Sequence, residues 1–356
     1  MRVKKQIIRF IAFGLIFIAL FFVSSACLRV SDLITVANMK SFYKEPENTL
    51  DVVFIGASEV YADYCATTAW DKYGYTSMSL GASGVPGSLY KSMLRETLSK
   101  QNPKLVVFEI NGFTATNEYY ARTQRLHSWI DYIENPDNKE QTIKEAIPKD
   151  QRDEFKESYA VNHNNWKLFH RGVATAYTRV RMSLEKQSYL KGYATKTSMS
   201  DDGYCTKEKT LHFTKKSRKY MTELLEYCKS QGVEQVLFAR FPHQRQIKNP
   251  DVFKQMEKLV TSYGYDFVNF EDQRENLKLV SGENYYNPEH LNVLGSAKFT
   301  NYLGQYLVDH YDIKGQHSQE VVENWDKCAD KAKGFIKDIK IDTKKKKGYY
   351  RNELTS

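Results

Sequence analysis

With 356 residues, 41% of them hydrophobic and 27% charged, the chain has a globular composition and enough length for one large core or two modest ones. Much of its net charge of +9 is local, in Arg2, Lys4, Lys5 and Arg9 ahead of an apolar run and in Lys344 to Lys347, so it fits a membrane surface or an anionic wall polymer and argues against nucleic acid. The five cysteines (Cys27, Cys65, Cys205, Cys228, Cys328) show neither CxxC nor metal-ligand spacing, so no metal, cofactor or assignable disulfide is expected.

Phe10 to Leu28 carries no charge and is long enough to cross a bilayer as a helix, and the membrane contact is expected over residues 6–28. The basic residues before it would keep the N-terminus cytoplasmic and send the rest of the chain outward. A retained single-pass anchor is expected, with a cleaved signal peptide as the alternative. Ser24-Ser25-Ala26-Cys27 approaches a lipoprotein cleavage box but has Ser where a large aliphatic belongs.

Val52 to Ile55 reads as a buried strand, Thr67 to Lys72 as a helix and Thr76 to Leu80 as a second strand running into a Gly-rich turn. Ser88 to Ser99 has helical spacing, and Leu105 to Ile110 is a third apolar strand. This alternation predicts a parallel sheet in an α/β fold. Residues 112–209 interrupt it with polar and aromatic helical fragments, read as an insertion capping the C-terminal edge of the sheet. The alternation resumes with a helix over Ser217–Ser230, a strand over Val236–Phe238, a helix over Val252–Tyr263, a strand over Phe267–Phe270 and a closing helix over Leu294–Tyr311. The expected organisation is an anchor over 1–30, an α/β domain over 31–311 and a loosely held basic tail over 312–356.

Two segments carry chemistry. Asp51-Val-Val-Phe-Ile-Gly-Ala-Ser58-Glu59 is an apolar strand ending at a small-small-Ser turn, which presents a hydroxyl at a strand's C-terminal end. Tyr286-Asn287-Pro288-Glu289-His290-Leu291-Asn292 offers an imidazole with a polar residue three positions before it. Together they suggest a serine nucleophile with His290 as base and Asn287 as its orienting partner. Both motifs are expected at the ends of neighbouring strands, where open α/β sheets bind ligands. The bland alternative makes Ser58 a simple helix N-cap and His290 a polar residue ahead of a helix capped by Asn292. The second glycine of a G-x-S-x-G elbow is missing, and no dinucleotide or Walker pattern follows the strand.

On these residues the chain resembles the SGNH hydrolase superfamily, most closely its membrane-anchored, DltD-like and alginate-acetylation-like branch in bacterial envelopes. The first block matches Phe54-Ile-Gly-Ala-Ser58 and the last matches Asn287-Pro-Glu-His290-Leu-Asn292 followed by Gly295. The resemblance spans about Asp51 to Leu307 outside the insertion. It implies a three-layer α/β/α domain with Ser58 and Gly84 backbone N–H groups and the Asn111 amide as oxyanion donors. It further implies acyl transfer or ester hydrolysis on a cell-surface polysaccharide or teichoic-acid-like polymer, with an integral-membrane acyltransferase as an implied partner. Two positions depart from the pattern: Gly112 rather than Asp follows Asn111, and Asn287 stands where the family has Asp. Glu289, Asp63 and Glu59 are candidate substitute carboxylates. A non-catalytic envelope protein that binds polymer or supports a partner is the alternative that Asn287 favours. Trp129 or Trp166 would stack on sugar rings, and Arg240 would grip phosphate or carboxylate, if either faces the cleft.

Overall fold

A computed structural model describes residues 2–28, 32–156, 163–184, 188–200 and 208–338. Helix α1 (Arg2–Leu28) precedes α2 (Leu33–Lys44), strand β1 (Val52–Gly56), α3 (Ser58–Asp63), α4 (Ala66–Tyr73), β2 (Ser77–Gly81), α5 (Tyr90–Leu98) and β3 (Leu105–Glu109). The insertion contributes α6 (Thr123–Ile130), α7 (Pro136–Ala146), α8 (Asp153–Lys156) and α9 (Phe169–Leu184). There follow α10 (Lys215–Ser230), β4 (Gln235–Arg240), α11 (Asp251–Ser262), β5 (Asp266–Asn269), α12 (Arg274–Leu277), β6 (Tyr285–Asn287), β7 (His290–Leu291), α13 (Val293–His310) and α14 (Gln319–Asp338).

The first five strands form one parallel sheet in the order β2-β1-β3-β4-β5. Its inner strands are continuous apolar runs because both faces are covered: Val52, Val53, Phe54 and Ile55 are all fully buried. The helices pack in two groups, α5, α10 and α11 in one, and α3, α4, α13 and α14 in the other. Right-handed crossovers account for this, since the chain moves one way from β1 to β2 and the other way from β2 through β5. Open α/β sheets bind ligands at the carboxyl ends of the strands, where the strand order reverses; Ser58 follows β1 at that point.

Helix α1 is long and apolar enough to cross a membrane, and none of its most apolar stretch is covered by the rest of the chain. At 27 residues it is about 40 Å long, against about 30 Å of bilayer hydrocarbon.

Three expectations need correction. The tail is not loose over Gln319–Asp338: this stretch is α14, which packs on α4 with Trp325 fully buried against Trp70. Lys344 to Lys347 lie outside the described residues. His290 does not end a strand of the main sheet; it sits in a separate antiparallel hairpin, β6–β7, inserted between β5 and α13. The insertion, finally, is only partly a cap. Its two ends line the cleft beside Ser58, but α9 runs along α2 and the end of α1.

Candidate active site

The site is assembled from a strand–helix junction and the hairpin. β1 stops at Gly56, Ala57 turns the chain, and α3 begins on Ser58 itself, so its side chain stands where strand gives way to helix. The hairpin is fixed on both sides. The Leu291 N–H donates to Asp63 Oδ1 of α3 at 2.8 Å. Asn292 caps α13 by accepting from the Leu294 and Gly295 N–H groups, while its own amide donates to Glu283 O. His290 therefore rides on a short, tied-down support, and Asn292 serves as the N-cap that its position suggests.

This brings together the three residues singled out by the two motifs. His290 Nε2 lies 2.7 Å from Ser58 Oγ, and His290 Nδ1 lies 2.9 Å from Asn287 Oδ1. The tautomer follows from a third contact. Asn287 Oδ1 also accepts the Glu289 N–H at 2.8 Å, which requires oxygen and not nitrogen at that position. His290 Nδ1 is then the ring N–H donor, leaving a lone pair on Nε2 to accept the Ser58 hydroxyl. Burial, only partly offset by the charge of Glu59, lowers the His290 pKa to about 4. The imidazole is thus neutral at pH 7, as a general base must be.

Behind Ser58 lies a buried network of charged and polar groups. Glu59 Oε2 is 3.4 Å from Ser58 Oγ, and its Oε1 takes hydrogen bonds from Asn111 Nδ2 and His243 Nε2. His243 Nδ1 faces the Phe241 carbonyl at 2.8 Å and Glu271 at 3.2 Å, and Arg240 Nε donates to Glu271 at 3.0 Å. Burial would push the Glu59 carboxyl up, but the His243 hydrogen bond and the His290 and His243 charges outweigh it and hold it at about 2. Glu271 is likewise held at about 2 against its burial, first by Arg240 and then by His243. Burial, reinforced by the Glu59 charge, instead raises Glu109 well above the usual range. The site therefore has a firmly ionised carboxylate, Glu59, beside Ser58, near a second, Glu109, whose ionisation its burial disfavours.

Ser58, Gly84 and Asn111 line one cleft of about 530 Å³. Gly84 has φ +60°, and a Cβ there would meet Arg125 Nη1 at 2.4 Å and Tyr119 Oη at 2.8 Å. The Tyr119 hydroxyl donates to the Gly84 carbonyl at 2.6 Å, and the N–H across that peptide, of Val85, donates to Ala82 O at 3.3 Å within the loop. Asn111 gives one amide hydrogen to Glu59 and accepts from Arg240 Nη1 at 3.0 Å and the Thr114 hydroxyl at 3.0 Å, so one N–H is left for an oxyanion.

The other residues fall elsewhere. Arg240 is fully buried and committed to Glu271 and Asn111, so it supports the site from below and grips no substrate. Trp129 is fully buried with its Nε1 donating to Ser92, and Trp166 is 65% exposed in the turn before α9; neither lines the cleft. Of the substitute carboxylates, Glu289 pairs with Lys209 at 2.8 Å, Asp63 holds the Leu291 backbone, and only Glu59 adjoins Ser58 Oγ. Sequence reasoning missed the cationic lining of the cleft, Arg122, Arg125 and Lys209, which comes from the two ends of the insertion. It also missed Glu271 as the partner of Arg240. No family model matches the chain, and no curated protein matches it.

Proposed function

We propose that this protein is an extracytoplasmic, membrane-anchored serine acyltransferase or esterase of the SGNH type, acting on acyl groups of an anionic cell-surface polysaccharide or teichoic-acid-like polymer. The observation that carries the reading is the relay Ser58 Oγ–His290 Nε2–Asn287 Oδ1, with contacts of 2.7 and 2.9 Å. The doubly wound sheet, the apolar α1 and the Ser- and His-containing motifs support the same assignment.

In this reading Ser58 Oγ attacks the acyl carbonyl as His290 Nε2 takes its proton. The Gly84 and Ser58 N–H groups and the remaining Asn111 N–H stabilise the oxyanion. His290 then returns the proton to the leaving oxygen, the acyl–oxygen bond breaks, and an acyl-Ser58 ester remains. A polymer hydroxyl or water, deprotonated by the same nitrogen, releases the acyl group and restores Ser58. Transfer and hydrolysis share every step up to the acyl-enzyme. Arg122, Arg125 and Lys209 around the cleft suit a substrate bearing phosphate or carboxylate.

The test is labelling with a fluorophosphonate probe. Labelling of the folded protein that disappears in Ser58→Ala supports the enzyme. The absence of labelling in a protein that melts cooperatively sinks it and favours the second reading, a non-catalytic polymer binder, which the uncharged Asn287 motivates.

A further inference from the structure

The insertion carries a surface that the acyl-transfer reaction does not use. Along α9 and the turn before it, Trp166, Phe169, Val173, Tyr177, Val180 and Leu184 are exposed, Tyr177 at 70% and Leu184 at 81%. Their spacing of three or four residues gathers them into one stripe of helix surface. This is not the core face of the helix. Thr175, Thr178 and Met182 form that face on the other side, buried toward α2 and the end of α1. A contiguous apolar stripe on a helix that already has its packing contact marks an interaction surface.

The position of α9 identifies what covers the stripe. Among residues 4–28, apart from Gly14, α1 is shielded only at Ser25, Cys27 and Leu28. There the two helices meet closely: a Cβ on Gly172 would lie 1.5 Å from the Cys27 carbonyl oxygen. Arg179 Nη2 donates to Ala26 O at 2.7 Å, and Asn165 Nδ2 donates to Leu28 O at 3.2 Å. So α9 crosses α1 at the level where its apolar stretch ends, which is where the chain leaves the bilayer. Around the first turn of α9, at the N-terminal end of the stripe, Lys167, His170 and Arg171 are exposed. An apolar stripe flanked by basic residues is the make-up of a helix lying in a membrane interface, with Trp and Tyr at headgroup depth and the basic residues facing anionic lipid.

We propose that α9 is an interfacial helix, its apolar stripe seated in the headgroup region of the leaflet from which α1 emerges and its basic flank on anionic phospholipid. The contact goes beyond the acyl-transfer reading and rests only on α1 being inserted. It fixes the domain at two points, α1 and α9, and so sets the orientation of the cleft formed by the insertion's two ends relative to the membrane.

The test uses the full chain in vesicles of phosphatidylglycerol and phosphatidylcholine carrying a nitroxide at a shallow or a deep acyl-chain carbon. Trp166 is the reporter, because Trp70, Trp129 and Trp325 are 9%, 0% and 0% exposed. The shallow label is expected to quench more emission than the deep one, aqueous iodide is expected to leave Trp166 unquenched, and the lipid-borne loss should vanish in Trp166→Phe. The double variant Tyr177→Glu, Val180→Glu, both at exposed positions, should lose that quenching while keeping its far-UV circular dichroism. Failure of the chain to float with the vesicles overturns the anchor and the proposal with it. A floating chain whose Trp166 is quenched by iodide, or by neither iodide nor lipid label, overturns the interfacial helix alone. Equal quenching on purely neutral vesicles overturns its anionic-lipid part.

Discussion

The Asn287 amide oxygen receives two donors, His290 Nδ1 at 2.9 Å and the Glu289 N–H at 2.8 Å. It therefore orients the ring and selects the tautomer, which is one of the two contributions that a carboxylate makes at this position. The other, stabilising the imidazolium that forms during attack, is beyond a neutral amide. Burial, only partly offset by the Glu59 charge, takes the His290 pKa down to about 4, so Nε2 is free at neutral pH but is a weak base. In the proposed reaction Asn287→Asp should raise kcat on a small acetyl ester, by less than the roughly 10⁴-fold that the reverse change costs a serine protease. A base works only when unprotonated, so activity falls as pH drops through the His290 pKa. The acid limb of the pH–rate profile, expected near 4, should move upward in Asn287→Asp as the new charge favours the imidazolium. An unchanged limb would show that Asn287 does not sense the reacting ring. Glu59 provides the opposite test, since its carboxylate adjoins Ser58 Oγ and its charge favours protonated His290. Glu59→Gln keeps an acceptor for Asn111 and His243 but removes the charge. It should lower kcat and move the acid limb down by about one pH unit, the low end of what a neighbouring opposite charge does. Equal kcat values with a matching thermal melt would exclude Glu59 from the chemistry.

At the scale of elements, what was legible followed from hydrophobic runs closed by turn residues. β1 to β5 lie close to their expected positions because buried parallel strands are apolar throughout. The hairpin holding His290 left no such trace: β6 and β7 have three and two residues with a bulge between them, too few for an alternating pattern. The charged network was illegible for a different reason. Glu59, Asn111, His243 and Glu271 come from four separate segments, and spacing along a chain does not encode which buried charges will meet. The turn after β2 shows what a legible glycine does. Gly84 adopts φ +60° with Tyr119 and Arg125 packed where a Cβ would stand. Gly84→Ala should cost about 1–2 kcal/mol for the left-handed backbone alone. It should also reduce turnover, because relieving the contact displaces either the loop or Arg125 from the cleft. Urea unfolding together with ester hydrolysis checks this, and an Ala variant matching the parent in both would mean that the loop carries neither strain nor function.

For the whole molecule, the lysine-rich composition of the C-terminal region hid a second packing contact. Trp325, Cys328, Ala329 and Ala332 recur at helical spacing and are buried, so the period was present beneath the charges. Helix α14 closes over a clamp built from distant parts of the chain. Lys191 and Glu45, both fully buried, form an ion pair at 2.5 Å, and Lys191 Nζ stands 4.7 Å from the centre of the Trp325 ring. The Lys191-Gly192-Tyr193 segment continues from there to the site's scaffold: the Tyr193 hydroxyl meets Ser296 of α13 at 2.6 Å, and the Ala194 N–H donates to Tyr61 O of α3 at 2.7 Å. A charge taken from water is tolerated only with its partner and its packing in place, so uncovering this pair also weakens what Lys191 holds. Trp325→Ala should therefore destabilise the protein by about 3–5 kcal/mol, the usual range for emptying a buried Trp site. The loss would appear as a lower urea midpoint, and fluorophosphonate labelling of Ser58 in the molecules that remain folded should be unchanged, because Trp325 touches none of the reacting atoms. A variant with the parent's midpoint would mean that α14 is dispensable and that the clamp holds without its cover.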